Sequence, residues 1–142
     1  MILFFKNEYD WLSNFYPVVI DINNIKYSSV EHAYQSKKSD DMIWKLYCAS
    51  NISASDIKKE SKKIKILTNW DNIRLIKMYE CLIQKFNQEP FKTKLLNTGN
   101  ANIQEGNTWG DEFWGINVNK NPNYGENHLG RLIMKIREDF YK

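Results

Sequence analysis

Apolar and polar positions change their period several times along this chain, and each change marks an element. Between Pro17 and Tyr27, Val18, Val19, Ile20 and Ile22 form one apolar arm and Ile25 and Tyr27 another, with Asn23-Asn24 between them. Asn tolerates the positive φ of a tight turn, so the stretch predicts a β-hairpin. Ser28 or Ser29 is placed to cap a helix starting near Val30, with Glu31 in its first turn, where a carboxylate suits the helix dipole. A second helix is predicted from Asp41 to Ala49, and a polar third from Ser53 or Ser55 to about Lys63. The clearest periodicity runs from Asp71 to Phe86. There Leu75, Tyr79, Leu82 and Phe86 recur at helical spacing beside Ile76 and Ile83, with Asp71 as the cap. Pro90 opens a short helix through Leu95-Leu96 that Gly99 ends. A last helix is predicted from about Asn127 to Phe140, its buried stripe made of Leu129, Leu132, Ile133, Ile136 and Phe140. Met1 to Lys6 reads as a first strand, and Gln104 to Asn127 as mostly loop. The sum is an α+β fold, mostly helical with a small N-terminal sheet, in a single domain over residues 1–142.

Composition narrows the classes. A chain of 142 residues buries enough apolar surface to fold without disulfides. Cys48 and Cys81 form no C-x-x-C pair and are expected to be reduced and buried. His32 and His128 stand in no metal motif, so neither a metal nor a cofactor is implied. No apolar run approaches the roughly 20 residues of a membrane span. The N-terminus lacks the basic region of a signal peptide, and the expected localisation is cytoplasmic, away from any membrane. A formal net charge of +3 does not by itself argue for nucleic-acid binding.

Three stretches carry more chemistry than their elements need. Glu105 to Gly115 packs two Trp, one Phe, three acids and three Gly into a loop. Large rings on a Gly-flexed loop line concave sites and stack on planar ligands, although lidding the core is the competing use. Trp11-Leu12-Ser13-Asn14-Phe15-Tyr16-Pro17 sets a hydroxyl and an amide among bulky rings before the hairpin, or else is an ordinary turn. In Glu31-His32-Ala33-Tyr34-Gln35-Ser36-Lys37-Lys38, the residues Glu31, Gln35 and Lys38 fall at i, i+4 and i+7. A carboxylate, an amide and an ammonium then share one helix face, either as a solvated stripe or as a site.

In this order the motifs resemble the YbiA-like or NADAR family. The resemblance rests on Ser13-Asn14-Phe15-Tyr16-Pro17, on Tyr27-Ser28-Ser29-Val30-Glu31-His32-Ala33-Tyr34-Gln35 with Lys38, on Asn69-Trp70, Met78 and Lys85-Phe86, and on Leu95-Leu96-Asn97-Thr98-Gly99. It continues through Glu105, Asp111 and Trp114-Gly115 to Asn127-His128-Leu129-Gly130-Arg131-Leu132-Ile133-Met134-Lys135-Ile136-Arg137. Asn69 departs from the Asp the family often has there, and the segment with Lys120, Pro122 and Tyr124 is variable. The resemblance implies a compact, mostly helical domain that hydrolyses N-glycosidic bonds. Some members are similar to enzymes that split phosphoribosylated intermediates of riboflavin biosynthesis. Others remove ADP-ribose from guanine in DNA or nucleosides. It implies site residues at Glu31, Trp70 and Trp114, with Lys38, Asn14 and Glu105 at further motif positions.

Breaking a ribose–nitrogen bond builds positive charge at the anomeric carbon and requires a proton on the leaving nitrogen. Glu31 suits the carboxylate role, with a base stacked on Trp114 or Trp70. Alternatively Lys38, if burial lowers its pKa, exchanges onto the opened sugar as a Schiff base while Glu31 shuttles protons. Glu105 and Asp111 are candidates for ribose hydroxyls, Glu105 also for a second proton transfer, and both compete with simple loop capping. Asn14, Phe15, Gln35 and Asn127 complete the expected binding set, Asn127 also as cap of the last helix. Arg131 reads by default as an exposed helix residue. The expected partner is a small molecule containing ADP-ribose or a phosphoribosyl group, and single-stranded DNA carrying ADP-ribose is a further candidate. The Asn- and Lys-rich composition fits a mobile or viral genome, where DNA modification is contested, and tips the choice toward ADP-ribosyl-guanine. A non-catalytic module binding ADP-ribose or a nucleotide, and a protein–protein interface built on the Trp-rich loop, are the readings from other classes.

Overall fold

The computed structural model describes residues 1–142 as two compact units. One comprises residues 14–85, and the other residues 1–13 together with 86–142.

In the unit of residues 14–85, strands β1 (Ile20–Ile22) and β2 (Ile25–Tyr27) pair antiparallel, with Ile20 opposite Tyr27 and Ile22 opposite Ile25. Asn23 and Asn24 take φ of 52° and 67°, so the predicted turn forms as its residues dictate. Helix α1 (Val30–Ser36) starts on Ser29, whose Oγ accepts the His32 N–H at 3.2 Å. Helix α2 (Met42–Ala49) is capped by Asp41 and α3 (Ala54–Glu60) by Ser53. All three are short, and each is started by the Ser or Asp that the sequence puts there.

Helix α4 (Trp70–Phe86) begins one residue before the expected cap, so Asp71 lies inside its first turn. Its buried face also differs from the expected stripe. Trp70, Met78, Cys81, Leu82, Lys85 and Phe86 are buried, whereas Leu75 and Ile76 are exposed. Leu82 and Phe86 of the expected stripe are buried, but the inner face also carries the fully buried Lys85 and the half-buried Arg74, so hydrophobicity alone finds only part of it.

In the other unit, the strand expected at Met1 to Lys6 is reduced to one parallel bridge between Ile2 and Ile103. A 3-10 helix (Asn7–Leu12) follows. Helix α5 (Phe91–Asn97) ends near Gly99 at φ 63°, as Gly allows. Two-residue strands β3 (Gly106–Asn107) and β4 (Ile116–Asn117) pair in parallel within the otherwise irregular loop. Helix α6 (His128–Phe140) buries Leu129, Ile133 and Ile136, with Leu132 and Phe140 half-buried and Arg131 exposed. No helix is long and apolar enough to cross a membrane. The fold is α+β, as expected.

Gly130 lets α6 approach the preceding loop. A Cβ there would stand 2.3 Å from the Ile103 carbonyl oxygen, which is backbone and cannot turn aside. Gly130→Ala is therefore expected to destabilise the fold by about 1–3 kcal/mol, the usual range for overpacking. A thermal melt checks it, and an unchanged midpoint would refute the contact.

Candidate active site

Helix α1 is buried along its whole length, its polar residues included. Glu31 is only 6% exposed and Gln35 2%. Gln35 Nε2 donates to Glu31 Oε1 at 2.9 Å, which holds the carboxylate in place from one turn away. The helix ends at Ser36, but Lys38 N–H still bonds the Gln35 carbonyl at 3.2 Å. Lys38 thus lies in the turn that follows the helix, past the face shared by Glu31 and Gln35.

Asn14 braces the other end of this face. Its carbonyl accepts the Glu31 N–H at 3.0 Å, and its Nδ2 donates to Met78 Sδ at 3.5 Å. Helix α4 contributes Trp70, Arg74 and Met78 at successive fourth positions. The Trp70 ring lies 5.3 Å from that of Tyr34, tilted by 51°. Lys38 Nζ stands 5.7 Å from the centre of the Tyr34 ring. The Lys38 carbonyl accepts from Leu67 N–H at 2.8 Å, and Leu67 accepts from Trp70 N–H at 3.1 Å, which ties the lysine to the start of α4.

The site is electrostatically tense. Burial pushes the Lys38 amine below its ordinary value; the Glu31 carboxylate pulls it back up, and the Lys58 and Arg74 cations push it further down. Burial likewise raises the Tyr34 phenol, helped by Glu31 and opposed by Arg74. Arg74 thus acts on both groups. Sequence reasoning missed it, although its place midway between Trp70 and Met78 was a usable signal.

Neighbouring groups do not compete for the chemistry. Burial raises the Cys48 and Cys81 thiols to about 12, which leaves them protonated and unreactive near neutrality. His32 Nε2 lies 2.7 Å from the Ile52 carbonyl, an acceptor, so this nitrogen carries the proton. Its Nδ1 then accepts from Ser29 Oγ at 2.6 Å, and the ring is used up in holding the helix.

Asn14, Glu31, Gln35, Lys38 and Trp70 therefore all belong to the unit of residues 14–85, as does Phe15. Phe15 is 43% exposed, whereas Trp70 is 5% exposed. Trp70 is thus largely closed over, with its ring against that of Tyr34. Phe15 is the open ring of this unit.

Glu105, Asp111, Trp114 and Asn127 belong to the other unit. There Asn107, missed in the sequence, organises the Trp-rich loop. Its Oδ1 accepts Asp111 N–H at 2.9 Å, and its Nδ2 donates to the Asp111 carbonyl at 2.9 Å and to Ile116 at 3.2 Å. Asp111 Oδ1 in turn accepts the Phe113 and Trp114 N–H groups at 3.1 and 2.9 Å. The Phe113 ring meets Trp114 edge-on at 4.9 Å. Asp111 thus positions the Trp114 backbone through Oδ1. Asn127 departs from its expected role as cap. Its backbone is left-handed and its side chain caps nothing on α6; instead Oδ1 accepts Glu105 N–H at 3.0 Å and Nδ2 donates to the Ile103 carbonyl at 3.0 Å. Both side-chain atoms thus tie backbone of the Trp-rich loop region to the start of α6. Trp109 is 63% exposed and lids nothing.

Residues 3–141 match the NADAR domain, through both units. The chain belongs to the NADAR family. It is 32% identical over 146 positions to an N-glycosidase of Nostoc punctiforme, covering 97% of this chain and 91% of that protein. It is 31% identical over 135 positions to a riboflavin biosynthesis protein of Vibrio vulnificus, covering 93% of this chain but only 36% of that longer protein. An N-glycosidase of Acanthamoeba polyphaga mimivirus is 37% identical over 81 positions, about half of each chain. Among solved structures, the NMR structure of the E. coli protein YbiA superposes with a TM-score of 0.81 at 25% identity, covering 95% of this chain and 80% of that one. The expected family and fold class are thereby established, and this NADAR protein is an N-glycosidase.

The opposing charges around Lys38 give a signed expectation. Glu31→Gln removes the group that favours the ammonium, so the Lys38 amine titrates lower than in the wild type. Lys58→Gln removes a repelling cation and raises it, by less, because Lys58 is exposed and screened. Side-chain NMR titration of Lys38 checks both directions; shifts of the same sign in both variants would refute this electrostatic arrangement.

Proposed function

We propose that this NADAR protein hydrolyses the bond between a ribose and a base amine, with Lys38 as nucleophile and Glu31 as proton carrier. The observation that carries the reading is a buried carboxylate on α1 and, two residues past the end of that helix, a lysine of lowered pKa within electrostatic reach of it. An exposed lysine is almost wholly protonated at neutral pH, and lowering its pKa enlarges the reactive neutral fraction.

The steps balance as follows. The ribosyl amine opens to an imine, with the ring oxygen taking a proton. The Lys38 amine adds to C1′, a proton passes from its nitrogen to the leaving nitrogen by way of Glu31, and the C1′–base bond breaks. Water then hydrolyses the lysine imine, releasing the sugar and restoring the amine. The Gln35 hydrogen bond keeps Glu31 oriented through both proton transfers. Direct attack by water at C1′, with Glu31 stabilising the cation, is the competing route.

The substrate we propose first is guanine carrying ADP-ribose, in a nucleoside or single-stranded DNA. The second is a phosphoribosylated intermediate of riboflavin synthesis, favoured by the similarity to the riboflavin biosynthesis protein of Vibrio vulnificus. Phe15 is the proposed stacking ring in the unit of residues 14–85. In the other unit the proposed ligand groups are Trp114, propped by Phe113, and Glu105 as an acid, with Asp111 and Asn127 as positioning residues. A module that only binds would release no base.

Borohydride is expected to trap a sugar adduct on Lys38 during turnover of ADP-ribosylated guanosine or of the phosphoribosylated aminopyrimidine, and Lys38→Arg abolishes it. Turnover without an adduct refutes the lysine route in favour of water; binding without base release refutes the enzyme. Glu31→Gln is expected to slow kcat by about 10²–10⁴-fold, the usual range for removing a proton carrier.

A further inference from the structure

Two acceptors on residues bonded to Glu31 are left over. Asn14 Oδ1 and Gln35 Oε1 are both shut off from water and have no hydrogen-bond partner in the protein. The residues are nine-tenths or more buried, Asn14 at 9% and Gln35 at 2% exposure. Buried polar oxygens are nearly always paired, so two orphans, on a residue whose amide holds the Glu31 carboxylate and on one whose backbone carbonyl holds the Glu31 N–H, call for an explanation. Their orientation is not arbitrary. Gln35 must turn Nε2 toward the carboxylate of Glu31, since its oxygen there would face another acceptor, so Oε1 is fixed on the other side. Asn14 likewise gives Nδ2 to the sulfur of Met78, which only accepts, and keeps Oδ1 back.

We infer that Asn14 and Gln35 are specificity-determining residues whose amide oxygens accept hydrogen bonds from the ribose hydroxyl groups of the substrate. The inference rests on the proposed glycosidase reading. The Gln35 amide bonds the carboxylate proposed as proton carrier at C1′, and the residue bearing the Asn14 amide accepts the N–H of that same glutamate. The hydroxyl on the adjacent sugar carbon is the donor that such a position would meet, whatever base is leaving. Each oxygen is dry before the substrate arrives, so a hydroxyl that displaces the cover meets an acceptor with no competing water. A sugar without that hydroxyl leaves the acceptor orphaned, and so is discriminated against.

Ribose 5-phosphate and 2-deoxyribose 5-phosphate are suitable probes, because both proposed substrates contain the first. Binding is measured by calorimetry on the full chain, for the wild type, Asn14→Leu and Gln35→Met, with far-UV circular dichroism to verify folding. The wild type is expected to prefer the ribose sugar by about 10-fold, the worth of one net hydrogen bond to a buried acceptor. The preference is expected to fall toward unity in at least one folded variant. General loosening of the structure lowers both affinities together and leaves their ratio alone, so the ratio reads recognition rather than stability. Absence of binding, equal affinities in the wild type, or a preference that persists in both variants overturns the inference. A variant that weakens binding of free guanosine while keeping the sugar preference also overturns it, in favour of base recognition. Failure of the borohydride and base-release assays with the sugar preference intact would instead strike the glycosidase reading alone.

Discussion

Burial of all seven residues of α1 is the constraint from which the arrangement of residues 14–85 follows. A helix that carries Glu31, His32, Gln35 and Ser36 and shows none of them to water must give each a partner. Ser29 takes the His32 N–H and gives its own proton to the ring, and the ring gives its other proton to Ile52. Ser36 Oγ turns back to the Ala33 carbonyl at 2.6 Å, and Trp44 donates to the Gln35 carbonyl at 2.8 Å. The strand-leading Asn14 closes the N-terminal end through its carbonyl. With those groups satisfied, what remains unspent lies on the side of Glu31, and this separates framework from chemistry on a helix only two turns long.

The same burial sets the reactivity. A carboxylate, an ammonium and a guanidinium close together in a water-poor wall interact far more strongly than they would at the surface. Desolvation acts on Lys38 in the direction of the free amine, and Arg74 acts the same way. Glu31 is the main group that holds the charge on. A group poised between such opposing terms changes its protonation when a neighbour changes its own, so proton transfer between Glu31 and Lys38 alters the state of both. The thiols of Cys48 and Cys81 show the simpler case: burial with weak cationic help drives them to a neutral, inert form.

How far the chain could be read in advance depended on the range of the interaction. The hairpin, the Ser29, Asp41 and Ser53 caps and the stripe of α6 are local devices, legible because each residue acts within a few positions of itself. The face of α4 was read only in part because its inner side carries Arg74 and Lys85, residues that hydrophobicity assigns to water. The first strand was misread because its apolar run finds only one bridging partner, Ile103, a hundred positions on. Asn107, Asp111 and Asn127 use their side chains on loop backbone up to two dozen residues away, and no spacing rule announces that. In the candidate site, Glu31 and Gln35 were legible as a helical face, which Lys38 lies just past. Arg74, which must come from another helix, was not.

The division of labour inside residues 14–85 bears on specificity. Recognition of a flat base needs an open ring face, and this unit offers one at Phe15, while the larger Trp70 is closed against Tyr34. Recognition of a hydroxylated sugar needs fixed acceptors, and these are borne by residues bonded to the acid. Gln35 is held on a helix buried along its length, and Asn14 is fixed by its bonds to the Glu31 N–H and to Met78 Sδ, whereas the Phe15 ring is 43% exposed. Rigid donors and acceptors discriminate sharply, because a missing partner leaves a buried group unpaired, whereas stacking tolerates many bases. In the proposed reading the sugar is therefore the strictly specified half of the substrate, and the leaving base the half that stacking leaves free to vary.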